Sequence, residues 1–515
     1  MEFVLVVGRP NVRSRVRRRV RSSRENVMSS RKVTRRQALQ GMGALAAAAM
    51  VPRGAAFAQA AAAKRPNVLF VAVDDLNVRL GCYGFPFMKT PNVDKLASQG
   101  VRFDHAYCQY PLCNPSRSSL LTGRRPDATK VFNNDTRFRD ALPDVITMPQ
   151  HFQKHGYWLA RTGKIYHGGL ADDAGWDVMV DKTPVPDDVR SKAKVVAQGG
   201  KLEDRQAKDA KGKARSAGSP LVWSSVDGPD ESQQDGQIAL KGIEFIQKRP
   251  ADKPFFIAVG FLKPHLPFIA PSKYFDLYPL EAIQLPEVPK DDREDLPEAA
   301  RYGKGWNEGV TDHQAREVIR AYYACISFMD AQFGKVLAAL EQAKALDNTV
   351  IIFWGDNGYH LTEHGLWRKG HLFEESCHVP LIVSAPGKKR GVGSPRLVEF
   401  VDFCPTLCEL CGLPLPEGLE GTSLVPLMND PNRPWKKAAF TQTGNPGGQR
   451  FGRSLRTERW RYTEWGGDAA QAELYDHQTD PREHTNLAKD PKHADTVKEL
   501  HELLARGWRA ALPPS

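Results

Sequence analysis

Three short apolar runs, each ending in polar residues, restrict this chain more than any other feature. Asn67 to Val73 (NVLFVAV) stops at Asp74-Asp75, Pro254 to Gly260 leads to Lys263-Pro264-His265, and Thr349 to Trp354 leads to Gly355-Asp356-Asn357-Gly358. Continuous runs of this length, rich in β-branched and aromatic residues, suit strands buried on both faces. Helical spacing separates them over Pro91 to Gln99, Met148 to His155, Gln237 to Gln247 and Glu317 to Ala345. The alternation predicts an α/β sandwich around a large, mostly parallel sheet. Ligands of such sheets sit beyond the carboxyl ends of the strands, so the polar tips are the first candidates for a site.

The chain has 515 residues, enough for two to four domains. Its net charge of +12 suggests nucleic acid only until its distribution is read. Up to Arg65 there are 15 Lys and Arg against two acids, a net of +13; the remainder carries 57 bases against 58 acids, a net of −1. A neutral body gives no electrostatic footprint for nucleic acid. The excess belongs to a leader, 1–63, in which Arg35-Arg36 precedes the alanine-rich run Ala38 to Val51 and small residues at Ala56, Ala58 and Ala60. That order is a secretory signal, and the paired arginines resemble a twin-arginine export signal. The apolar run is shorter than the roughly 20 residues a membrane helix needs, so no stable membrane span is expected and the product is predicted to be periplasmic or secreted. Met28, just ahead of the basic stretch, is an alternative start.

Two segments break the α/β pattern. Asp181 to Asp235 is rich in Lys, Asp, Gly and Ser and reads as a surface excursion. After Pro434 come short strand-like pieces such as Trp460 to Trp465, then a helix from about Ala494 to Ala510. The expected division is therefore leader 1–63, catalytic domain 64–434 and a smaller sheet-plus-helix subdomain 435–515. Eight cysteines are too few for a disulfide scaffold; Cys404, Cys408 and Cys411 fall in Val398 to Gly412, read as an amphipathic helix in which they pack rather than bind zinc.

Asp74, Asp75, Asp356 and Asn357 form a hard-oxygen set suited to Ca2+ or Mg2+; acids at strand ends also cap helices and turns, and spacing alone leaves both readings open. Cys113-Asn114-Pro115-Ser116-Arg117 is more specific. It precedes Ser118 to Gly123, read as the start of a helix, whose local field would favour a nucleophile.

Cys113 to Arg117, followed by Thr122-Gly123, resembles the signature of the formylglycine-dependent sulfatases, members of the alkaline-phosphatase-like superfamily. Thr162-Gly163-Lys164-Ile165-Tyr166-His167, Lys263-Pro264-His265, Gly355 to Gly358 with Lys369, and the closing Glu473 to Asp476, Asp480-Pro481 and Asn486-Leu487 are similar to further blocks of that family. The resemblance spans Arg65 to the C-terminal region, and the Lys164 and His265 blocks look closest to the iduronate-2-sulfatase branch. It implies the alkaline-phosphatase-like α/β/α sandwich and hydrolysis of a sulfate ester on a sulfated sugar or polysaccharide. It also implies that a formylglycine-generating enzyme oxidises Cys113, and that Asp74, Asp75, Asp356, Asn357 and the modified residue 113 hold Ca2+. Arg117 would then stabilise the hydrated aldehyde, Lys164 and Lys369 would clamp the sulfate, His265 would protonate the leaving alcohol, and His167 would take a proton as sulfate is expelled. Asn114 and Leu159 depart from the family's usual residues. Phosphoester or phosphonate hydrolysis within the superfamily, or non-catalytic binding of sulfated glycans, are the competing readings. Specificity is expected in the loops 131–139, 181–235 and 361–371, with Trp367, Arg368 and His371 as contacts for an acidic sugar.

Overall fold

The computed structural model describes residues 65–186, 221–301 and 310–513, with the backbone of Lys194–Gly199. The leader 1–63 and most of the predicted excursion lie outside the described residues. In chain order the strands are β1 (Asn67–Val73), β2 (Val101–Tyr107), β3 (Trp158–Gly163), β4 (Val178–Val180), β5 (Lys194–Gly199), β6 (Trp223–Asp227), β7 (Phe255–Phe261), β8 (Phe268–Pro271) and β9 (Thr349–Gly355). A short hairpin, β10 (His360–Leu361) and β11 (Trp367–Arg368), precedes β12 (His378–Ser384) and β13 (Val392–Glu399). The last four are β14 (Ala439–Thr443), β15 (Gly452–Arg456), β16 (Trp460–Trp465) and β17 (Asp468–Asp476).

Eight strands form one sheet in the order β13-β2-β12-β9-β1-β7-β3-β4. β1 runs parallel to both β7 and β9, with Val73 opposite Phe261 and Gly355. The three predicted strands therefore end side by side, and the polar residues after them share one edge. Only β12 runs against its neighbours β9 and β2. Alternation along β1 explains its continuous apolar run: Leu69, Val71 and Val73 enter one core, Val68, Phe70 and Ala72 the other. The first core is closed by helices Pro91–Gln99, Gln234–Lys248 and Asp312–Gln342, the second by Cys113–Thr122, Met148–Lys154 and Phe403–Leu410. This is the predicted α/β/α sandwich. The smaller sheet, β14 to β17, packs Leu455, Tyr462 and Leu474 against Leu500, Leu503 and Leu504 of helix Ala494–Arg506.

Three local expectations are corrected. The helix near the signature begins at Cys113 and ends at Thr122, so Ser118 lies mid-helix and Gly123, at φ 65, closes it rather than opening it. Val398 and Glu399 belong to β13, and the helix carrying Cys404 and Cys408 starts only at Phe403, because Asp402 turns back to accept the amide of Glu399 at 2.9 Å. Within the excursion, Trp223–Asp227 forms β6, parallel to β8, with Ser224 and Ser225 buried. Among the described residues no helix is long and apolar enough to cross a membrane.

Candidate active site

The site grows from the tips of β1 and β9. Asp75 turns the chain at φ 60, a conformation that non-glycine residues rarely adopt. It is held there from both sides: its amide donates to Asp356 Oδ1 at 2.9 Å and its carbonyl accepts from Tyr322 Oη at 2.7 Å. Asn357 Nδ2 donates to Asp75 Oδ1 at 2.9 Å. From β3, Gly163 delivers Lys164; it has φ 71, and a Cβ there would stand 2.1 Å from the carbonyl of Gly260, so only glycine allows this approach. Lys164 Nζ binds Asp74, and Lys369 Nζ binds Asp75.

Cys113 opens its helix directly beneath these groups. Its thiol lies 3.4 Å from Asp74 Oδ1, 3.8 Å from Asp75 Oδ1 and 3.5 Å from Lys369 Nζ. One turn on, Arg117 Nε donates to Asp356 Oδ2 at 2.8 Å, its Nη1 to the carbonyl of Ile165 at 3.2 Å, and its guanidinium stacks 5.5 Å above the Trp354 ring. Ser116 Oγ adds a bond to the Asp356 carbonyl at 2.6 Å. Lys263, Pro264 and His265 follow β7; His265 Nδ1 lies 2.6 Å from the Leu266 carbonyl, which makes that nitrogen the protonated one, and Nε2 faces Asp75 Oδ2 at 3.8 Å. Thus Asp74, Asp75, Cys113, Arg117, Lys164, His265, Asp356, Asn357 and Lys369 come together. His167 lies near enough to feel Lys164 and Asp74, with its Nδ1 buried and without a hydrogen bond.

Burial alone would raise the carboxyl of Asp74, but Lys164 and then His265 pull it well below the usual carboxylate range. Asp75 is likewise lowered by Lys369 against burial. Burial would discharge Lys164 and Lys369, yet Asp74 and Asp75 respectively raise them, so both stay cationic. The Cys113 thiol is pushed far up by burial and then by Asp74, which leaves it protonated and a poor nucleophile. His167 is lowered to about 4 by burial and Lys164; His265 is also lowered, burial outweighing the two aspartates.

Three carboxylates (Asp74, Asp75, Asp356) face three cations (Lys164, Lys369, Arg117). Ligand atoms of Asp74, Asp75, Cys113 and Asp356 all lie within 4.8 Å of one another, and Asn357 Oδ1 is buried without a hydrogen bond. Such a hard-oxygen set fits a divalent cation. Tyr322, Ser116 and Trp354 support the site and escaped sequence reading; Tyr322 sits inside a long amphipathic helix, where only core packing is legible. Of the suggested sugar contacts, Trp367 packs into the core at 3% exposure, His371 is buried and Arg368 is half-buried.

Comparison with known proteins gives concordant results. A family model described as Sulfatase matches residues 66–413, and one described as N-sulphoglucosamine sulphohydrolase, C-terminal, matches residues 362–509. The chain is 33% identical over 462 residues to a sulfatase of Formosa agariphila, covering 86% of this chain and 87% of that protein. It is 30% identical over 523 residues to iduronate 2-sulfatase of Homo sapiens, covering 84% and 93%. Among solved structures, the phosphonate monoester hydrolase of Agrobacterium radiobacter is similar at a TM-score of 0.71 and 25% identity, covering 87% of this chain and 96% of that one.

Proposed function

The chain belongs to the sulfatase family and is a sulfuric ester hydrolase, and we propose that it cleaves a sulfated sugar of the iduronate-2-sulfate kind, with Cys113 matured to formylglycine and Ca2+ at the acidic strand tips. The observation that carries this reading is the position of the Cys113 sulfur, within 4 Å of two carboxylates and an ammonium, with burial and Asp74 pushing its thiol up. Hydrated formylglycine supplies an oxygen nucleophile with a second hydroxyl on the same carbon, and Ca2+ held by Asp74, Asp75, Asp356 and Asn357 supplies Lewis acidity toward the sulfate. Mg2+, which demands a tighter octahedron, suits the set less.

The remaining work falls to the chain's own side chains. Lys164 and Lys369 bind the sulfate oxygens, where charge gathers as the ester bond breaks. Arg117, fixed by Asp356 and the Ile165 carbonyl, holds the oxygen that replaces sulfur at residue 113. His265 gives a proton to the departing alcohol from Nε2 when the ring is doubly protonated, Nδ1–H staying committed to the Leu266 carbonyl. His167, neutral above about pH 4, accepts a proton from the second hydroxyl as sulfate leaves. In this reading a formylglycine-generating enzyme matures Cys113, the twin-arginine machinery exports the chain through its 1–63 leader to the periplasm or beyond, and 64–434 and 435–515 serve as catalytic domain and subdomain.

Mass spectrometry of the tryptic segment Phe103 to Arg117 from protein made in its native host tests the reading. An aldehyde at residue 113, with turnover of a 2-O-sulfated uronate, is expected. An intact thiol in fully active protein would overturn it. A second reading, phosphonate monoester hydrolysis, draws on the likeness to the Agrobacterium enzyme; faster turnover of a phosphonate monoester than of any sulfate ester would favour it.

A further inference from the structure

We propose that Asn114 is a positioning residue that fixes the 132–137 loop as a wall of the substrate mouth, and that this wall favours sulfated sugars over small sulfate esters. The inference rests on Cys113 being the reacting residue, as above. The residue before the Cys113 helix, Leu112, offers no side-chain cap, so the first turn would leave amides unpaired. The loop supplies the cap: Asn134 Oδ1 accepts from the Asn114 amide at 3.1 Å. In return Asn114 Nδ2 spends both protons on the loop backbone, donating to the carbonyls of Asn133 at 2.9 Å and Thr136 at 2.8 Å. A smaller side chain, or one that only accepts, could not make this pair of bonds.

The loop is ordered from within as well. Asn133 Oδ1 accepts from the amides of Asp135 and Thr136 at 2.8 and 2.9 Å, and Tyr110 Oη donates to the Phe132 carbonyl at 2.8 Å. Asn114 itself is only 5% exposed, whereas Asp135 and Arg137 are exposed. Because adjacent Cα atoms are about 3.8 Å apart, the clamp holds the loop carbonyls within about 10 Å of the Cys113 Cα. In this proposal the loop borders the sugar whose ester reacts at residue 113. The guanidinium of Arg137, without a hydrogen bond or ion pair among the described residues, gives the wall a cation suited to a carboxylate or second sulfate. Released from Asn114, the loop would have to be ordered anew on each binding event, which weakens binding more than it slows chemistry.

Asn114→Ala and Asn134→Ala test this from opposite sides of the clamp, and the second leaves the segment read during maturation intact. Both should raise amide hydrogen exchange across Phe132 to Arg137 by about tenfold or more. With rates expressed per formylglycine measured by mass spectrometry, KM for a 2-O-sulfated uronate disaccharide should rise about tenfold while kcat stays within about threefold. For 4-nitrophenyl sulfate, kcat/KM should change less than about threefold, and Asn114→Gln, which keeps both donors, should recover part of the loss. Exchange unchanged in both alanine variants would overturn the clamp. Exchange raised with both esters affected alike would overturn the selecting wall. Wild-type protein that carries formylglycine yet cleaves neither ester would sink the sulfated-sugar reading, while the exchange result would still decide the role of Asn114.

Discussion

Buried charge surrounds both ends of the Cys113–Thr122 helix, about 15 Å apart, and the two clusters are built differently. Past the C-terminal end, Arg125 binds Glu399 through two parallel bonds at 2.7 and 2.8 Å, and Lys436 directs its three protons to Glu399 at 2.9 Å and to both oxygens of Asp402 at 2.7 Å. Backbone amides of Phe440 and Thr422 complete those carboxylates, so that only Arg125 Nε lacks a hydrogen bond. At the N-terminal end, Arg117 Nη2, His167 Nδ1 and Asn357 Oδ1 are all buried and unbonded. Burial of charge is common to both. What separates a structural cluster from a reactive one is the hydrogen-bonding capacity left over for something else.

Substitutions at the two ends should therefore fail in different currencies. Cys113→Ser keeps one oxygen but supplies no second hydroxyl, so turnover should fall by on the order of 10⁴ or more, as for other lost nucleophiles, while the unfolding midpoint hardly moves. Steady-state kinetics beside thermal unfolding reads both. Lys436→Met should do the reverse, leaving Glu399 and Asp402 buried without their cation at a cost of about 3–5 kcal/mol in urea unfolding. Its rate per folded molecule should be that of the wild type. A Lys436→Met protein of normal stability would break the comparison at its structural end. Lys369→Ala comes next: losing one cation that meets the transition state should lower kcat by about 10²–10³. A change confined to KM would mean that Lys369 only binds the ground state.

How far each end could be read from sequence follows from the same difference. β1 and β9 were legible almost to the residue because strands buried on both faces must be continuously apolar, and their tips announce a site by contrast. The helix between the clusters was misread because Ser116, Ser118 and Ser119 are all buried, the first two bonded to Asp356 and Asn114 and the third without a hydrogen bond, so no apolar stripe marks its start. β6 was missed for a like reason, its serines lying inside. The Arg125, Glu399, Asp402 and Lys436 cluster left no trace at all: its partners are up to 274 residues apart, and no spacing encodes them. Tyr322 and Trp354 read as core and are core, and their second duty at the site depends on tertiary contact alone.

The smallest expected effect is a shift of pH profile rather than a loss. Burial first and Lys164 second hold His167 at about 4, below its ordinary 6.5. A base works in its deprotonated form, and His167 acts after the alcohol has left, so where sulfate release limits turnover kcat should be flat at neutral pH and fall as the pH drops through about 4. Lys164→Gln removes the second cause of that depression. The variant should be slower throughout, and its acid limb should also move upward toward 6.5, because without the neighbouring cation protonation of His167 is less costly. Lys436→Met, at the far end of the helix, should leave the limb where it is once rates are corrected for folded protein. An acid limb that moves in both variants would mean that the two clusters are electrostatically one. A limb fixed near 4 in Lys164→Gln would assign the depression of His167 to burial alone and leave Lys164 with sulfate binding as its only task.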